Sequence, residues 1–266
     1  YDKDPQAEHN RLIEHQLEHD LTWRILDEYL PSKGSILEIG AATGRYTLGL
    51  AKRGYEVTAV DISAKNLKEC RKNIADAGLL DPVEFIQSDA RSLTEVPQKR
   101  YDAVLLMGPL YHLIYESDRL MALKQVFTRL RPGGAIFSAH ISRYGIWGDL
   151  LMNIPDIIEE KEEVKSVLTN GCNGNDYPRG GFRAYFATVE EIAPLHEAVG
   201  FETIKVVGVE PGISADDESY NRLEGERRKL FLDLFHKISA ESSIIGASRH
   251  LMYIGKKPDN APNETA

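Results

Sequence analysis

Between residues 35 and 141 the chain alternates short apolar runs with helical segments, and this pattern constrains the fold most. The predicted strands cover 35–40, 55–61, 83–89, 101–108 and 134–141, and the helices between them cover 45–53, 64–77 and 117–130. Strands that alternate with helices form βαβ units, whose right-handed crossovers build a parallel sheet with helices on both faces. The binding crevice of such a sheet lies at the carboxyl ends of its strands.

The segments outside this core are less regular. We predict an N-terminal helix over 5–29, a helix over 189–199, a charged helical segment over 216–240, and strands over 201–210 and 250–257. These elements suggest one domain over 1–258, divided into an N-terminal helical cover (1–33), a core (34–141), insertions (142–187 and 211–247) and a disordered tail (259–266). We expect the cover and the insertions to form a lid over the carboxyl edge, although packing against the core edge explains them equally well.

Composition excludes several classes of protein. A chain of 266 residues with 42% hydrophobic and 27% charged residues is an ordinary globular protein. Its net charge of −9 and the absence of a Lys/Arg cluster argue against nucleic acid as a partner. The two cysteines form no CxxC pair, and no apolar run has the length of a membrane span. We therefore expect a cytoplasmic monomer or homodimer that binds neither nucleic acid nor membranes.

The segment LEIGAATGRY (37–46) is the most informative part of the chain. It predicts a strand, a turn of small residues and then a helix, so that a ligand can approach backbone N–H groups closely. The dinucleotide pattern G-x-G-x-x-G/A would place Arg45 where a small side chain is needed. The pattern G-x-(G/A)-x-G instead fits Gly40, Ala42 and Gly44, with Glu38 two residues earlier.

This arrangement resembles motif I of the class I S-adenosylmethionine-dependent methyltransferases, (E/D)-x-G-x-G-x-G, with Ala42 in place of the middle glycine. Asp61 ends the second strand, where a carboxylate can accept hydrogen bonds from ribose hydroxyls in either class of nucleotide cofactor. In the family, an acidic residue at the place of Asp89 accepts from the adenine amine, and the backbone of the next residue, here Ala90, meets the ring.

The segments LLMGPLYHL (105–113) and RPGG (131–134) also resemble the family, closely over about 34–141 and more loosely over 189–257. UbiE-like or type 11 small-molecule methyltransferases are the nearest kind. The resemblance implies a Rossmann-like α/β fold: a mostly parallel seven-stranded sheet with an antiparallel last strand. It also implies S-adenosylmethionine as donor and S-adenosylhomocysteine as product. The cofactor-binding residues that it implies are Glu38, Gly40, Ala42, Gly44, Asp61, Ile62, Asp89, Ala90 and Met107.

Methyl transfer by direct in-line displacement needs no covalent enzyme intermediate, and no G-x-S-x-G motif occurs. No carboxylate follows the fourth strand before Glu116 and the histidines lack metal-ligand spacing, so we expect no metal. The candidate catalytic residues are Tyr111, His112 and His140, each of which also suits a structural role. Candidate substrate-binding residues are Arg11, Trp147 and Tyr185.

The sequence thus favours methyl transfer to a small molecule and leaves alternatives open. An RNA or protein methyltransferase has the same fold, and the acidic charge argues against RNA only. A nicotinamide-dependent oxidoreductase is disfavoured by Arg45. A non-catalytic nucleoside-binding module would keep the glycine turn and both strand-end carboxylates.

Overall fold

The computed structural model describes residues 15–173, 183–213 and 216–260. Within these ranges the strands are β1 Ser35–Ile39, β2 Glu56–Asp61, β3 Val83–Gln87, β4 Tyr101–Leu106, β5 Leu130–Ser142, β6 Cys172–Asn173, β7 Ala184–Ala187, β8 Glu202–Gly208 and β9 His250–Lys256. The α-helices are α1 Gln16–Tyr29, α2 Arg45–Lys52, α3 Ala64–Asp76, α4 Pro109–His112, α5 Glu116–Arg129, α6 Ile146–Asn153, α7 Lys161–Asn170, α8 Val189–Glu197, α9 Asp217–Asn221 and α10 Gly225–Ile238.

Seven strands form the main sheet in the order β3-β2-β1-β4-β5-β9-β8. All neighbouring pairs from β3 to β5 are parallel, and β9 runs antiparallel to both β5 and β8. The predicted fold class, a mostly parallel sheet with an antiparallel last strand, is therefore confirmed. Because β9 is reversed, its first residue lies at the edge where the parallel strands end.

The sheet is buried on both faces, as the alternation on β1 illustrates. Ile36 faces one apolar layer together with helix α1 residues such as Leu21 and Ile25. Leu37 and Ile39 face the other layer, which includes Leu123 and other residues of α5. A strand covered on both sides needs a nearly continuous apolar run, which is why SILEI could be read as a buried strand.

Two boundaries differ from the sequence prediction. Strand β5 begins at Leu130 rather than at residue 134, because Leu130 already pairs with Tyr101 before a register shift. The segment predicted as one helix over 216–240 is two helices, α9 and α10, and Gly225 starts the second with a φ of +52°. The Asp216 side chain caps α9 by accepting a hydrogen bond from the backbone N–H of Ser219.

The segment 142–187 contains structure that the sequence left undefined. Helix α6 is followed by a 3-10 turn over Pro155–Glu159 and by helix α7. Strands β6 and β7 pair with each other, and β7 extends the sheet by pairing in parallel with Ile141 and Ser142 at the end of β5. Residues 174–182 lie outside the described residues.

The predicted cover is described only in part. The first half of the predicted N-terminal helix and the end of the tail lie outside the described residues, as does Arg11. Among the helices that the structure describes, none combines the length and the apolar character needed to cross a membrane.

Candidate active site

The glycine turn joins β1 to α2 with three residues in the left-handed region of backbone conformation. Their φ angles are +84° at Gly40, +48° at Ala42 and +91° at Gly44. A Cβ atom on Gly40 would stand 2.4 Å from the carbonyl oxygen of Met107, and one on Gly44 would stand 2.6 Å from the sulfur of Cys70. Glycine is therefore required at both ends of the turn, and Ala42 carries strain in the middle.

The strain at Ala42 predicts a stabilising substitution. We expect Ala42→Gly to raise the free energy of unfolding by up to about 1 kcal/mol, because a methyl group is disfavoured at a positive φ. The matched control is Ala75→Gly, at an exposed position in α3, which should lower it by about 0.5–1 kcal/mol. Urea denaturation measures both, and a loss of stability in Ala42→Gly would show that this turn is unstrained.

Asp61 ties the glycine turn to the next helix. One carboxylate oxygen, Oδ2, accepts a hydrogen bond of 2.9 Å from the backbone N–H of Ala42, and Oδ1 accepts one of 2.8 Å from that of Ser63. The side chain is buried at the end of β2 and still contributes to the cavity described below. A carboxylate has about four acceptor sites, so it can accept from more donors than these two backbone groups.

Glu38 lies beneath the turn rather than beside the ligand space. On β1 it faces the same side as Ile36, where Oε2 accepts a 2.6 Å hydrogen bond from the Thr47 hydroxyl. Burial, together with the nearby charge of Asp61, raises the pKa of Glu38 to about 8, although the Thr47 hydrogen bond opposes the rise. Glu38, which the sequence predicts to bind the cofactor, is therefore buried beneath helix α2 and accepts a hydrogen bond from it.

Asp89 follows β3 and pairs with Arg91. The guanidinium donates to both carboxylate oxygens, at 3.0 Å to Oδ1 and 2.6 Å to Oδ2, and also reaches Asp118 at 3.2 Å. These hydrogen bonds and the positive charge of Arg91 lower the pKa of Asp89, so that it is an anion and a hydrogen-bond acceptor at neutral pH.

A cavity of about 460 Å³ runs along the carboxyl edge of the sheet, within the size range of small-molecule sites. One end is bounded by the glycine turn and by the residues that follow β2 and β3. Of the nine predicted cofactor-binding residues, seven line it: Gly40, Ala42, Asp61, Ile62, Asp89, Ala90 and Met107. Glu38 and Gly44 lie outside its wall, because one faces α2 and the other packs on Cys70.

Two of the three predicted catalytic residues also line the cavity. Tyr111 and His112 lie on α4 after β4, with their rings edge to face at 4.6 Å between centroids. Burial lowers the pKa of His112 to about 4, which makes its imidazole a weak base.

His140 is enclosed in the sheet and does not line the cavity. Its Nε2 lies 3.2 Å from the hydroxyl of Ser138, which also lies 2.8 Å from Nε2 of His196. Burial and the neighbouring His196 lower the pKa of His140 well below its ordinary value. The structure thus places His140, which the sequence predicts as a catalytic candidate, in a buried network between β5 and α8.

Trp147 and Tyr185, predicted to bind substrate, both lie off the cavity wall. Trp147 packs against the cluster around Ile146 and Phe186. The Tyr185 hydroxyl donates a 2.7 Å hydrogen bond to Glu191, and its ring lies 3.5 Å beneath the guanidinium of Arg119. Among the described residues of 142–187, the cavity is lined by Arg183 alone.

Several charged or ionisable side chains of the cavity wall were not selected from the sequence. Among them are Glu18 and Arg45 at the first turns of α1 and α2, and His250 at the start of β9. The sequence did contain a feature from which the position of His250 could have been inferred. In a sheet with a reversed last strand, the first residue of that strand lies beside the ligand. Glu18 carried no such signal, because its position depends on how α1 packs.

The fold and the cavity define the architecture of the class I S-adenosylmethionine-dependent methyltransferases. Among solved structures, a SAM-dependent methyltransferase from Methanosarcina mazei is similar with a TM-score of 0.60 and 20% sequence identity, over 88% of this chain and 97% of that one. Residues 36–134 match the family described as "Methyltransferase domain". The glycine turn, Asp61 and Asp89 all lie within these residues, which match a methyltransferase domain.

Curated relatives share this part of the chain. YqeM of Bacillus subtilis, whose name classes it as a methyltransferase, is 31% identical over 126 residues, or 47% of this chain and 49% of that protein. The tRNA 5-carboxymethoxyuridine methyltransferase of Escherichia coli K12 is 26% identical over 49% of this chain and 51% of its own length. The chain thus spans about half the length of these two relatives. The ubiquinone/menaquinone biosynthesis C-methyltransferase UbiE of Shewanella halifaxensis is 22% identical over 70% and 73%.

Proposed function

We propose that this protein transfers a methyl group from S-adenosylmethionine to a small-molecule acceptor. The observation that supports the proposal is that the sequence match to the family and the geometry of the cavity coincide. The residues that match the methyltransferase family, 36–134, supply the cavity end formed by the glycine turn and the two strand-end carboxylates. The cofactor, when bound, supplies an electrophilic methyl group on a sulfonium.

The described residues fit this cofactor at that end of the cavity. The strained turn at Ala42 exposes backbone next to the cavity, and Asp61, which lines the cavity, is a carboxylate that can accept from ribose hydroxyls. Asp89 is an anion that can accept from an exocyclic amine, with the backbone of Ala90 beside it. These contacts would orient the cofactor along the carboxyl edge. The cofactor and the acceptor would then react from fixed relative positions rather than by a free bimolecular encounter.

The remaining wall of the cavity supports a small, largely apolar acceptor. It includes Tyr111, Leu113, Ile114 and Met252, together with Thr22 of helix α1. A cavity of this kind excludes water from the acceptor group. The excess of acidic over basic residues disfavours a polyanionic acceptor such as RNA.

The cofactor choice is directly testable. We expect calorimetry to detect binding of S-adenosylhomocysteine and no binding of NAD. Arg45 is the first residue of α2 and its side chain lines the cavity, where a dinucleotide site needs a small residue for close approach of the pyrophosphate. A preference for NAD would contradict the proposal.

The acceptor class is tested with methyl-labelled S-adenosylmethionine. Two acceptor pools are compared, a small-molecule extract and total tRNA, with heat-denatured protein as the control. Label in the small-molecule fraction alone supports the proposal. Label in tRNA would assign the protein to the RNA-modifying alternative, which the tRNA methyltransferase relative favours. Cofactor binding with label in neither pool would favour a nucleoside-binding module.

A further inference from the structure

His250 and Glu210 form a dyad at the wall of the cavity. His250 is the first residue of β9 and lines the cavity, while Glu210 follows the end of β8 and is 1% exposed. The Nδ1 atom of the imidazole lies 3.2 Å from Oε1 of Glu210. A carboxylate only accepts hydrogen bonds, so Nδ1 carries the proton and Nε2 of the neutral ring keeps its lone pair.

Glu210 is fixed by partners other than the imidazole. Its Oε2 accepts a 2.8 Å hydrogen bond from the backbone N–H of His250, and its Oε1 accepts from Nε of Arg249 at 2.9 Å. The attraction of His250 and Arg249 outweighs the effect of burial and lowers the pKa of Glu210. The carboxylate is therefore ionised and holds the imidazole in one orientation.

Glu18 faces the same point from helix α1. Its Oε2 atom is buried and has no hydrogen-bond partner among the described residues. An oxygen of Glu18, an oxygen of Glu210 and a ring nitrogen of His250 lie within 4.8 Å of one another. A buried acceptor without a partner, on the wall of a cavity, is suited to a donor group on a ligand.

The charges around His250 favour its protonated form. Burial alone would lower the pKa of His250, but Glu210 and Glu18 raise it above the ordinary value, against an opposing effect of Arg249. The other ionisable groups nearby are His15 of the segment before α1, with ring centroids 6.4 Å apart, and Asp217 and Asp149, which both bind Arg249. His250 is thus a stronger base than either His112 or His140, whose pKa values are lowered.

We propose that His250, oriented by Glu210, is the general base that accepts the proton of a protic acceptor group, and that Glu18 binds a donor on that acceptor. The inference rests on the proposed methyltransferase function. The acceptor's O–H or N–H proton moves to Nε2 of His250 as the oxygen or nitrogen bonds to the methyl carbon. The electron pair of the broken carbon–sulfur bond stays on sulfur, and the imidazolium later releases its proton to water.

The first test needs no acceptor. NMR of ¹⁵N-histidine-labelled protein reports the tautomer and the pKa of each imidazole. We expect the Nδ1–H tautomer at His250, and we expect Glu18→Gln to lower the His250 pKa, because a nearby negative charge is removed. Oε2 of Glu18 makes no hydrogen bond with the described residues, so this substitution should leave the fold intact.

The matched control removes another carboxylate from the same helix. Asp27→Asn, at a side chain that is 55% exposed, should leave the His250 pKa unchanged. An Nε2–H tautomer at His250, or equal pKa values in the wild type and Glu18→Gln, would overturn the proposal, whether or not an acceptor is known.

The second test uses methyl-labelled S-adenosylmethionine with a defined mixture of phenols and primary amines. Where any compound is methylated, His250→Gln should lower kcat by about 10²–10⁴-fold and leave the affinity for S-adenosylhomocysteine within about twofold. The activity of the wild type should fall as the pH drops through the His250 pKa, since only the neutral imidazole accepts a proton. A larger loss in His112→Gln than in His250→Gln would contradict the assignment. A wild type that binds no S-adenosylhomocysteine would refute the proposed function instead, independently of the NMR result.

Discussion

Arg249→Met is expected to lower the free energy of unfolding by about 3–5 kcal/mol, because it leaves a buried carboxylate without its cation. The Arg249 side chain is 3% exposed and binds four groups, which come from different parts of the chain. These are Oε1 of Glu210 at 2.5 Å, Oδ1 of Asp149 at 2.7 Å, Nδ1 of His15 at 2.9 Å and Oδ2 of Asp217 at 3.0 Å.

The loss of stability should depend on pH with a definite sign. Glu210 has a lowered pKa in the folded protein, so its stabilising effect is present above the unfolded-state pKa and disappears as the pH falls through the folded-state value. Without Arg249 that pKa rises. The difference between variant and wild type should therefore be complete above the raised Glu210 pKa of the variant and should shrink as the pH falls toward the lowered Glu210 pKa of the wild type.

Urea denaturation at several pH values measures this effect. Arg222→Met is the matched control, because Arg222 pairs with Glu218 on one turn of α9 and its side chain is 69% exposed. It should cost less than about 1 kcal/mol. If both variants lose the same small amount at pH 7, the Arg249 cluster does not stabilise the fold.

A second large effect is expected at Asp61. The Asp61→Ala substitution should weaken binding of S-adenosylhomocysteine at least about thirtyfold, which corresponds to about 2–4 kcal/mol. The substitution would remove the carboxylate that we propose to accept hydrogen bonds from the ribose hydroxyls. It would also leave the backbone N–H of Ala42 without the acceptor that it now has at 2.9 Å. Calorimetry measures the affinity, and circular dichroism checks the fold.

Asp81→Ala serves as the control for Asp61. Asp81 is an exposed carboxylate just before β3, outside the cavity wall, and its loss should leave the affinity unchanged. Unchanged affinity in a folded Asp61→Ala variant would show that the ribose is held by other residues.

The cover over the site is held by charge as well as by the apolar packing of α1. Through Arg249, His15 joins the N-terminal segment to Asp149 on α6 and Asp217 on α9. The N-terminal segment and the described parts of both insertions thus meet at one arginine. The described parts of the insertions place only Arg183 on the cavity wall, so α1 contributes more of the cover than they do.

The amino-acid sequence determined the sheet and the glycine turn, because both depend on neighbouring residues. A strand that is buried on both faces needs an apolar run, and a turn with positive φ angles needs glycine. The local sequence therefore encodes the strands and the positions of Gly40 and Gly44. The strand-end carboxylates Asp61 and Asp89 followed from the same pattern, since parallel strands end at one edge.

Only the tertiary structure decided which polar side chains face the cavity. The alternation of β1 turns Glu38 toward α2, and the pairing of β5 with β9 encloses His140, although both residues belong to segments that were correctly predicted. The reversed direction of β9 brings His250 to the cavity, and the packing of α1 brings Glu18 beside it. No local pattern encodes such contacts, because they depend on electrostatic attraction and burial between segments that lie far apart in the chain.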